Sequence, residues 1–449
     1  MALQNVYVFA LNKIIIPFGD FVFGSTYSKN LQKWQEYDLL SARELKKIQL
    51  QQLNTMLKHA REEVPFYKDK IDVELDEDVE QSLKKVPILT KQLLRKHTTD
   101  LVADSFDVQH LKKNYSSGSS GIQSFSYSDP KNVYLAQAIQ RHWFYWSGFR
   151  DGDPVLQFGI SPNRGFIKKT KDYFFNVSYE SAFSLTEADF IRIEENVRKK
   201  GIKYIIGYPS AIFEFAKYLD KNNKQLAINA ILSLGDKLFE HYEKLFYKVM
   251  KKPKIIDTYG CAEGFLMACR NDLPYYYISS PHVYLEIVDD EGKPVKDGEL
   301  GHILVTCLTS YAQPFLRYKL GDLGILLPKE EYPKNAKYNY PLLKKVIGRE
   351  TDVIKTPAQQ TLVVHSFTGV FEYFPEIEQY KIIQSKLSEI EIQYIPEKGT
   401  NVKLSLQKIK DKLIELSKNS LEINFVEVDE IAPTKSGKPQ IIASNLVHN

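Results

Sequence analysis

Five short stretches hold residue types that can do chemistry together. The first is "YSSGSSGIQSFSYSD", Tyr115 to Asp129. Ser116, Ser117, Gly118, Ser119, Ser120 and Gly121 offer hydroxyls and free backbone N–H groups, which can close over phosphate oxygens. The same composition suits a linker. No Gly-Lys-Ser/Thr closes it and no G-x-G-x-x-G turn opens it, so it is neither a Walker loop nor a dinucleotide fingerprint. The second is "SLGDKL", where Gly235 lets a flat ring approach the backbone closely. The third is "DTYGCAEG", Asp257 to Gly264. Asp257 can accept from an exocyclic amine, Tyr259 can stack on a base, and Glu263 can hold Mg²⁺. Thr258 and Gly260 complete the turn. Taken alone, that stretch is a tight turn with a capping acid. The fourth is "PFLRYKLGDLG", in which Asp322 is placed to accept from two sugar hydroxyls. The fifth is "PTKSGKPQIIAS", where Lys438 follows Ser436 and Gly437 on a loop and can bring a point charge to a phosphate.

The elements that must position these residues follow from pattern and punctuation. "PVLQFGI", "GIKYIIGYPS", "INAILSLGDKL" and "KPKIIDTYGCAEG" read as strands running into turns, each with helical sequence nearby. This alternation predicts a layered α/β domain with its site at strand C-terminal ends. Residues 38–62 have apolar side chains at helical spacing, and a second helix follows Pro130 and stops at Gly148. Trp143 and Trp146, three apart on that helix, read first as core. From Pro281 the pattern becomes strand, turn, strand, which predicts a β-rich subdomain. The last hundred residues read as a hairpin over 380–396, a helix over 402–417 and a strand over 421–431. The predicted class is therefore α/β: a large layered N-terminal domain over 1–348 with a β-rich subdomain, and a small α+β C-terminal domain over 349–449.

Bulk properties narrow the class. The chain has 449 residues, enough for two or three domains. Lys and Arg number 60 against 56 Asp and Glu, a formal charge of +4 that argues against nucleic acid as partner. Three cysteines, Cys261, Cys269 and Cys307, exclude a disulfide framework and suit a reducing, cytoplasmic setting. Cys261, Cys269 and His282 fit no compact zinc spacing, and buried thiols are the expectation. "NVYVFALNKIIIPFGDFVFG", residues 5–24, is interrupted by Lys13, Pro17 and Asp20 and is a poor signal peptide. It reads either as a leader packed on the domain or as a surface for a membrane or a glycan-assembly partner.

The order and spacing of the five motifs resemble the adenylate-forming ligases, closest to the phenylacetate–CoA ligase-like branch and its members linked to capsular polysaccharide biosynthesis. The likeness runs from about residue 110 to the C-terminus. It implies ATP and Mg²⁺ as cofactors, a carboxylic acid as substrate, and CoA or an amine as acceptor. It gives Ser116–Gly121 as the phosphate loop, Gly235 and Asp236 as the adenine-pocket turn, Tyr259 as the stacking ring and Glu263 as the Mg²⁺-linked acid. Asp322 becomes the ribose acid, Arg349 the hinge arginine, and Lys438 the mobile-domain lysine that supports adenylation. Tyr208, Phe158, Gly159 and Trp143 are expected at the acid pocket.

The sequence departs from the family at several points. Ser120 and Gln123 replace a threonine and a proline of the phosphate loop, and Ala262 precedes Glu263 without a hydroxyl. Thr351 stands two residues after Arg349. No cysteine precedes the hinge, so no structural zinc is expected, and "VIKTPAQQTLVV" lacks the glycine beside the pantetheine path. Two rivals follow: an amide-forming ligase in polysaccharide biosynthesis, and a non-catalytic scaffold in envelope-glycan assembly.

Overall fold

A computed structural model describes residues 2–71, 78–115, 125–159, 164–182, 185–349, 353–358, 361–371, 373–374, 376–432, 440–444 and 446. The expected phosphate loop, Ser116–Gly121, and Lys438 lie outside the described residues. So does Thr351.

Short strands β1 (Lys112–Tyr115) and β2 (Phe125–Ser128) pair antiparallel on either side of residues 116–124. The main sheet has eleven strands. Its parallel half uses β3 (Val155–Gly159), β4 (Val177–Ser181), β5 (Tyr204–Gly207), β6 (Ala230–Ser233) and β7 (Lys254–Gly260), in the order β4-β3-β5-β6-β7. Runs such as "YIIG" and "AILS" are mostly apolar and almost wholly buried because helices cover both faces of a parallel sheet. Those helices include Glu187–Lys200, Pro209–Lys221 and Glu240–Val249. Glu187–Lys200 starts in a Thr186/Asp189 capping box and ends at Gly201 in the left-handed region. Pro209–Lys221 opens with proline at its first turn.

The other half is antiparallel: β8 (Leu266–Arg270), β9 (Tyr276–Ile278), β10 (Val283–Val288), β11 (Gly301–Cys307), β12 (Tyr318–Leu326) and β13 (Leu342–Arg349). The order continues from β7 as β8-β9-β13-β12-β11-β10. The β-rich region expected after Pro281 is therefore part of the main sheet rather than an appendage. Asp322 lies inside the nine-residue β12, just after Gly321 at φ +80°. Register breaks between β12 and β13 mark where these strands bend.

Beyond β13, a short hairpin of β14 (Val353–Lys355) and β15 (Thr361–Val363) leads to a four-stranded sheet. That sheet is made of β16 (Ile377–Lys386), β17 (Glu389–Pro396), β18 (Glu422–Glu427) and β19 (Ile442–Ser444), in the order β18-β17-β16-β19. Helix Lys403–Leu416 packs on it. This unit has its own core around Phe367, Ile382, Ile392, Ile409 and Leu413. The helix that follows the Gly235 turn starts at Glu240, after irregular backbone over 234–239.

Candidate nucleotide site

The third motif forms the end of β7 and the turn into β8. Asp257, buried inside β7, is held from both sides. Ser233 Oγ donates to its Oδ1 at 2.9 Å, and the Tyr276 hydroxyl donates to Oδ2. Burial pushes the Asp257 carboxyl above its usual range, and the Arg270 guanidinium on β8 pulls it back. Arg270 is itself bonded to Glu243. Both oxygens of Asp257 are thus committed within the sheet. Thr258 Oγ1 donates to the Ser233 carbonyl at 2.8 Å, which closes β6 onto β7.

Two residues further on, the Tyr259 hydroxyl donates to Asp322 Oδ2 at 2.8 Å. In return, Tyr318 on β12 donates to Glu263 Oε1 at 2.7 Å. Asp322 and Glu263 are each 8% exposed. The two links run in opposite directions between the β7 turn and β12. In the sheet order β8, β9 and β13 intervene, so a flat sheet would hold β7 and β12 ~19 Å apart. Side chains that meet at 2.8 Å require the antiparallel half to curl back on itself. The stacking ring, ribose acid and metal acid expected from sequence are thereby gathered in one place, although Tyr259 and Asp322 are 63 residues apart.

Gly235 has φ +88°, and a Cβ there would lie 2.5 Å from the Tyr208 ring, so only glycine fits beneath it. Ser210 donates to Asp236 across the same turn. Burial, reinforced by the Asp236 charge, pushes the Tyr208 hydroxyl up to about 12. Lys237 Nζ, unremarked in the sequence reading, donates to the Ile347 carbonyl at 2.6 Å and ties this turn to β13 just before Arg349. Arg349 itself lies opposite Asp322 in the β12·β13 register. Phe239 also packs against the core of the C-terminal unit.

Three of the residues expected at the acid pocket are packed beneath other side chains. Trp143 and Phe158 are each 1% exposed and fill two separate apolar cores. Gly159 is covered by Tyr179, whose hydroxyl would lie 2.4 Å from an added Cβ. The described residues form a cavity of about 260 Å³ beside Glu263. Its walls come from β1 and β2, helix Pro130–Tyr145, the Cys261–Leu266 turn, His282 and Thr309–Ser310. Carboxamides and hydroxyls prominent among them are Asn114, Asn132, Gln137, Gln140, Thr309 and Ser310.

The sequence offers His282 as a metal ligand. Here its Nδ1 shares a 2.8 Å hydrogen bond with Thr309 Oγ1, while Nε2 has no partner among the described residues. Burial lowers its pKa to about 4, so the ring is neutral at pH 7. Cys261 is partly buried, and its thiol is pushed well up by burial and by the Glu263 charge. Among the described residues no group of three or more His, Cys, Asp or Glu could hold a metal ion. Arg317, also passed over, is a structural residue. It adopts φ +46° and spans Glu286, Lys84, Val86 and Gly292 with its guanidinium. No sequence signal separates it from the neighbouring motif residues.

Residues 354–445 match the CapK C-terminal domain family. The chain is 27% identical over 318 residues to the phenylacetate–coenzyme A ligase of Escherichia coli (strain K12), covering 66% of this chain and 70% of the relative. It is 20% identical to protein CapK of Staphylococcus aureus, covering 81% of each. A crystal structure of 2-hydroxyisobutyryl-CoA ligase in the postadenylation state, bound to an acyl-AMP, superposes with a TM-score of 0.71 at 16% identity, over 92% of both chains. The chain thus has the fold of the adenylate-forming ligases and is similar in sequence to the phenylacetate–CoA ligases and to CapK.

Proposed function

We propose that the enzyme activates a carboxylic acid with ATP and passes the acyl group to CoA. The observation that supports this best is the reciprocal pair of tyrosine–acid links that sets Tyr259, Asp322 and Glu263 together. A carboxylate oxygen attacks the α-phosphorus, the bond from phosphorus to the pyrophosphate oxygen breaks, and an acyl-adenylate forms. The thiol sulfur of CoA then attacks the acyl carbon, AMP leaves, and the thiol proton goes to solvent.

Tyr259 supplies a face for adenine, and Asp322 accepts from the ribose hydroxyls. Glu263 fits a Mg²⁺ site, because Mg²⁺ is commonly held by one or two carboxylates plus substrate phosphates rather than by an all-protein cage. Mg²⁺ held there would neutralise charge on the phosphates. Lys438 brings a positive charge to the reacting oxygens from the C-terminal domain. That domain, taken as 349–449, turns about Arg349 between the two half-reactions.

The cavity beside Glu263 carries apolar surface together with side chains already paired with one another, such as Asn114 with Ser128 and Thr309 with His282, so its walls do not choose between aryl and polar acids. Pyrophosphate release measured with aryl, short-chain and sugar acids tests the ligase reading, and no release with any acid removes it. The product mass separates thioester from amide, and an amide would favour an amine acceptor, in line with the missing glycine after the hinge.

A further inference from the structure

Helix Phe166–Phe174 breaks the usual rule for a surface helix. Phe166, Ile167, Tyr173 and Phe174 fall on one face at i, i+1, i+7 and i+8, and that face is the exposed one. Phe166 and Ile167 are both 85% exposed, and the helix buries no residue. Helix Pro209–Lys221 has a comparable pattern but buries Ile212, Phe215, Ala216 and Leu219 in the core. An amphipathic helix with its apolar side outward needs another medium to cover it.

The N-terminal segment shows the same inversion. Residues Gln4–Phe23 form a helix long and apolar enough to cross a membrane, with only 6% of it buried. Val6, Phe9, Ile14, Phe18, Phe21 and Phe23 are exposed, Phe21 at 86%. The two helices touch, because the Tyr7 hydroxyl donates to the Phe174 carbonyl.

Three hydrogen bonds fix how this surface can be used. Gln4 Nε2 donates to the Gly152 carbonyl and Asn12 Nδ2 to the Asp151 carbonyl, each at 2.8 Å. After the helix ends at Gly24 in the left-handed region, the Tyr27 hydroxyl donates to Asp151 Oδ2 at 3.0 Å. The chain therefore leaves the domain at Asp151 and returns to it at Asp151. The apolar tip between residues 13 and 26 protrudes with both ends on the same side, a geometry that enters a bilayer without crossing it.

The charges suit an anionic surface. Lys13, Lys168, Lys169 and Lys171 are exposed around the apolar residues. The acids of the two segments, Asp20 and Asp172, are occupied by the Ser28 amide and by Arg164, each at 2.6 Å. We propose that these two helices form one docking surface for an anionic bilayer. The phenylalanines enter the headgroup–acyl boundary and the lysines meet the headgroups.

The test is flotation of the full-length protein with vesicles of phosphatidylcholine alone and of phosphatidylcholine with phosphatidylglycerol. The expected result is flotation with the anionic vesicles, weakened but not abolished by high salt. Phe18→Glu with Phe21→Glu, and separately Phe166→Glu with Ile167→Glu, should each lower the bound fraction roughly tenfold or more at an unchanged melting temperature. Absence of flotation, or flotation indifferent to both pairs, overturns the proposal. So does a soluble dimer that the same substitutions dissociate, since the surface would then be an interface between copies of this chain.

Discussion

Asp257 and the pair Glu263 with Asp322 are acids of one small region, yet the sheet treats them differently. Asp257 is stitched to neighbours inside the sheet by Ser233 on β6 and Tyr276 on β9. Glu263 and Asp322 belong to a brace between strands that are not neighbours, with a tyrosine from each side serving the acid of the other. The first arrangement holds strands in register. The second holds the curl of the sheet and leaves Glu263 on a cavity wall. Similar burial therefore separates into two roles according to where the hydrogen-bond partners come from.

The largest effect should come from neither arrangement. The stitch holds strands and the brace holds the acids proposed for the nucleotide, but the charge proposed to stabilise the adenylation transition state is that of Lys438. Lys438→Ala should lower pyrophosphate release roughly 10²–10³-fold while ATP binding stays nearly intact. Lys435→Ala should do far less. Equal and mild effects in a pyrophosphate assay would make Lys438 an ordinary surface lysine.

Asp257→Asn breaks the stitch. It removes one of two acids that act on the buried Arg270 guanidinium, and leaving a buried charge short of partners commonly costs ~3 kcal/mol or more. The variant should unfold at clearly lower denaturant, with ATP affinity in the folded fraction changed little. If affinity collapsed while stability held, Asp257 would belong with the nucleotide acids.

His282 gives the cavity wall a pH signature. Its folded pKa is lowered to about 4 by burial, so the unfolded chain binds the proton more readily between pH 6.5 and 4. The contribution of His282 to stability is complete above pH 6.5 and is lost as pH falls toward 4, on the order of 2–3 kcal/mol by pH 4.5. Denaturant titrations at pH 7 and pH 4.5 should show His282→Gln losing less stability over that interval than the parent. Identical losses would mean that His282 titrates normally in the fold.

Much of this was legible in the sequence because it was local. The strand–turn reading of "KPKIIDTYGCAEG" and the hairpin and helix near the C-terminus match the observed elements within a few residues. What was not legible depends on tertiary closure. Nothing in "PHVYLEIVDDEG" says that its strand ends the same sheet that begins with Val155. Trp143 and Phe158 carry the same letters whether they line a pocket or fill a core. The cavity beside Glu263 is built from five separate stretches, so no single motif announces it. The exposed face of Phe166–Phe174 has a pattern that sequence reasoning assigns to burial.

Asp322→Ala cuts the brace at its acid. Two ribose hydroxyls would lose their acceptor, which typically costs ~1–3 kcal/mol in binding. ATP affinity should fall roughly tenfold or more by isothermal titration, with little change in the unfolding midpoint. An unchanged affinity in a folded variant would confine Asp322 to holding the curl.

The smallest effect should come from Tyr259→Phe. The ring proposed to face adenine is kept, and only the hydroxyl that donates to Asp322 at 2.8 Å is removed. A hydrogen bond to a charged group contributes about 1.5–3 kcal/mol when both partners are buried, but Tyr259 is half-exposed and water can replace its hydroxyl. ATP affinity should therefore fall only about two- to fivefold. The double variant Tyr259→Phe, Asp322→Ala should bind ATP no worse than Asp322→Ala alone, because the hydroxyl acts through the acid. Fully additive losses would show that Tyr259 and Asp322 meet the nucleotide independently. The brace would then be a consequence of the curled sheet and not a device that aims the ribose acid.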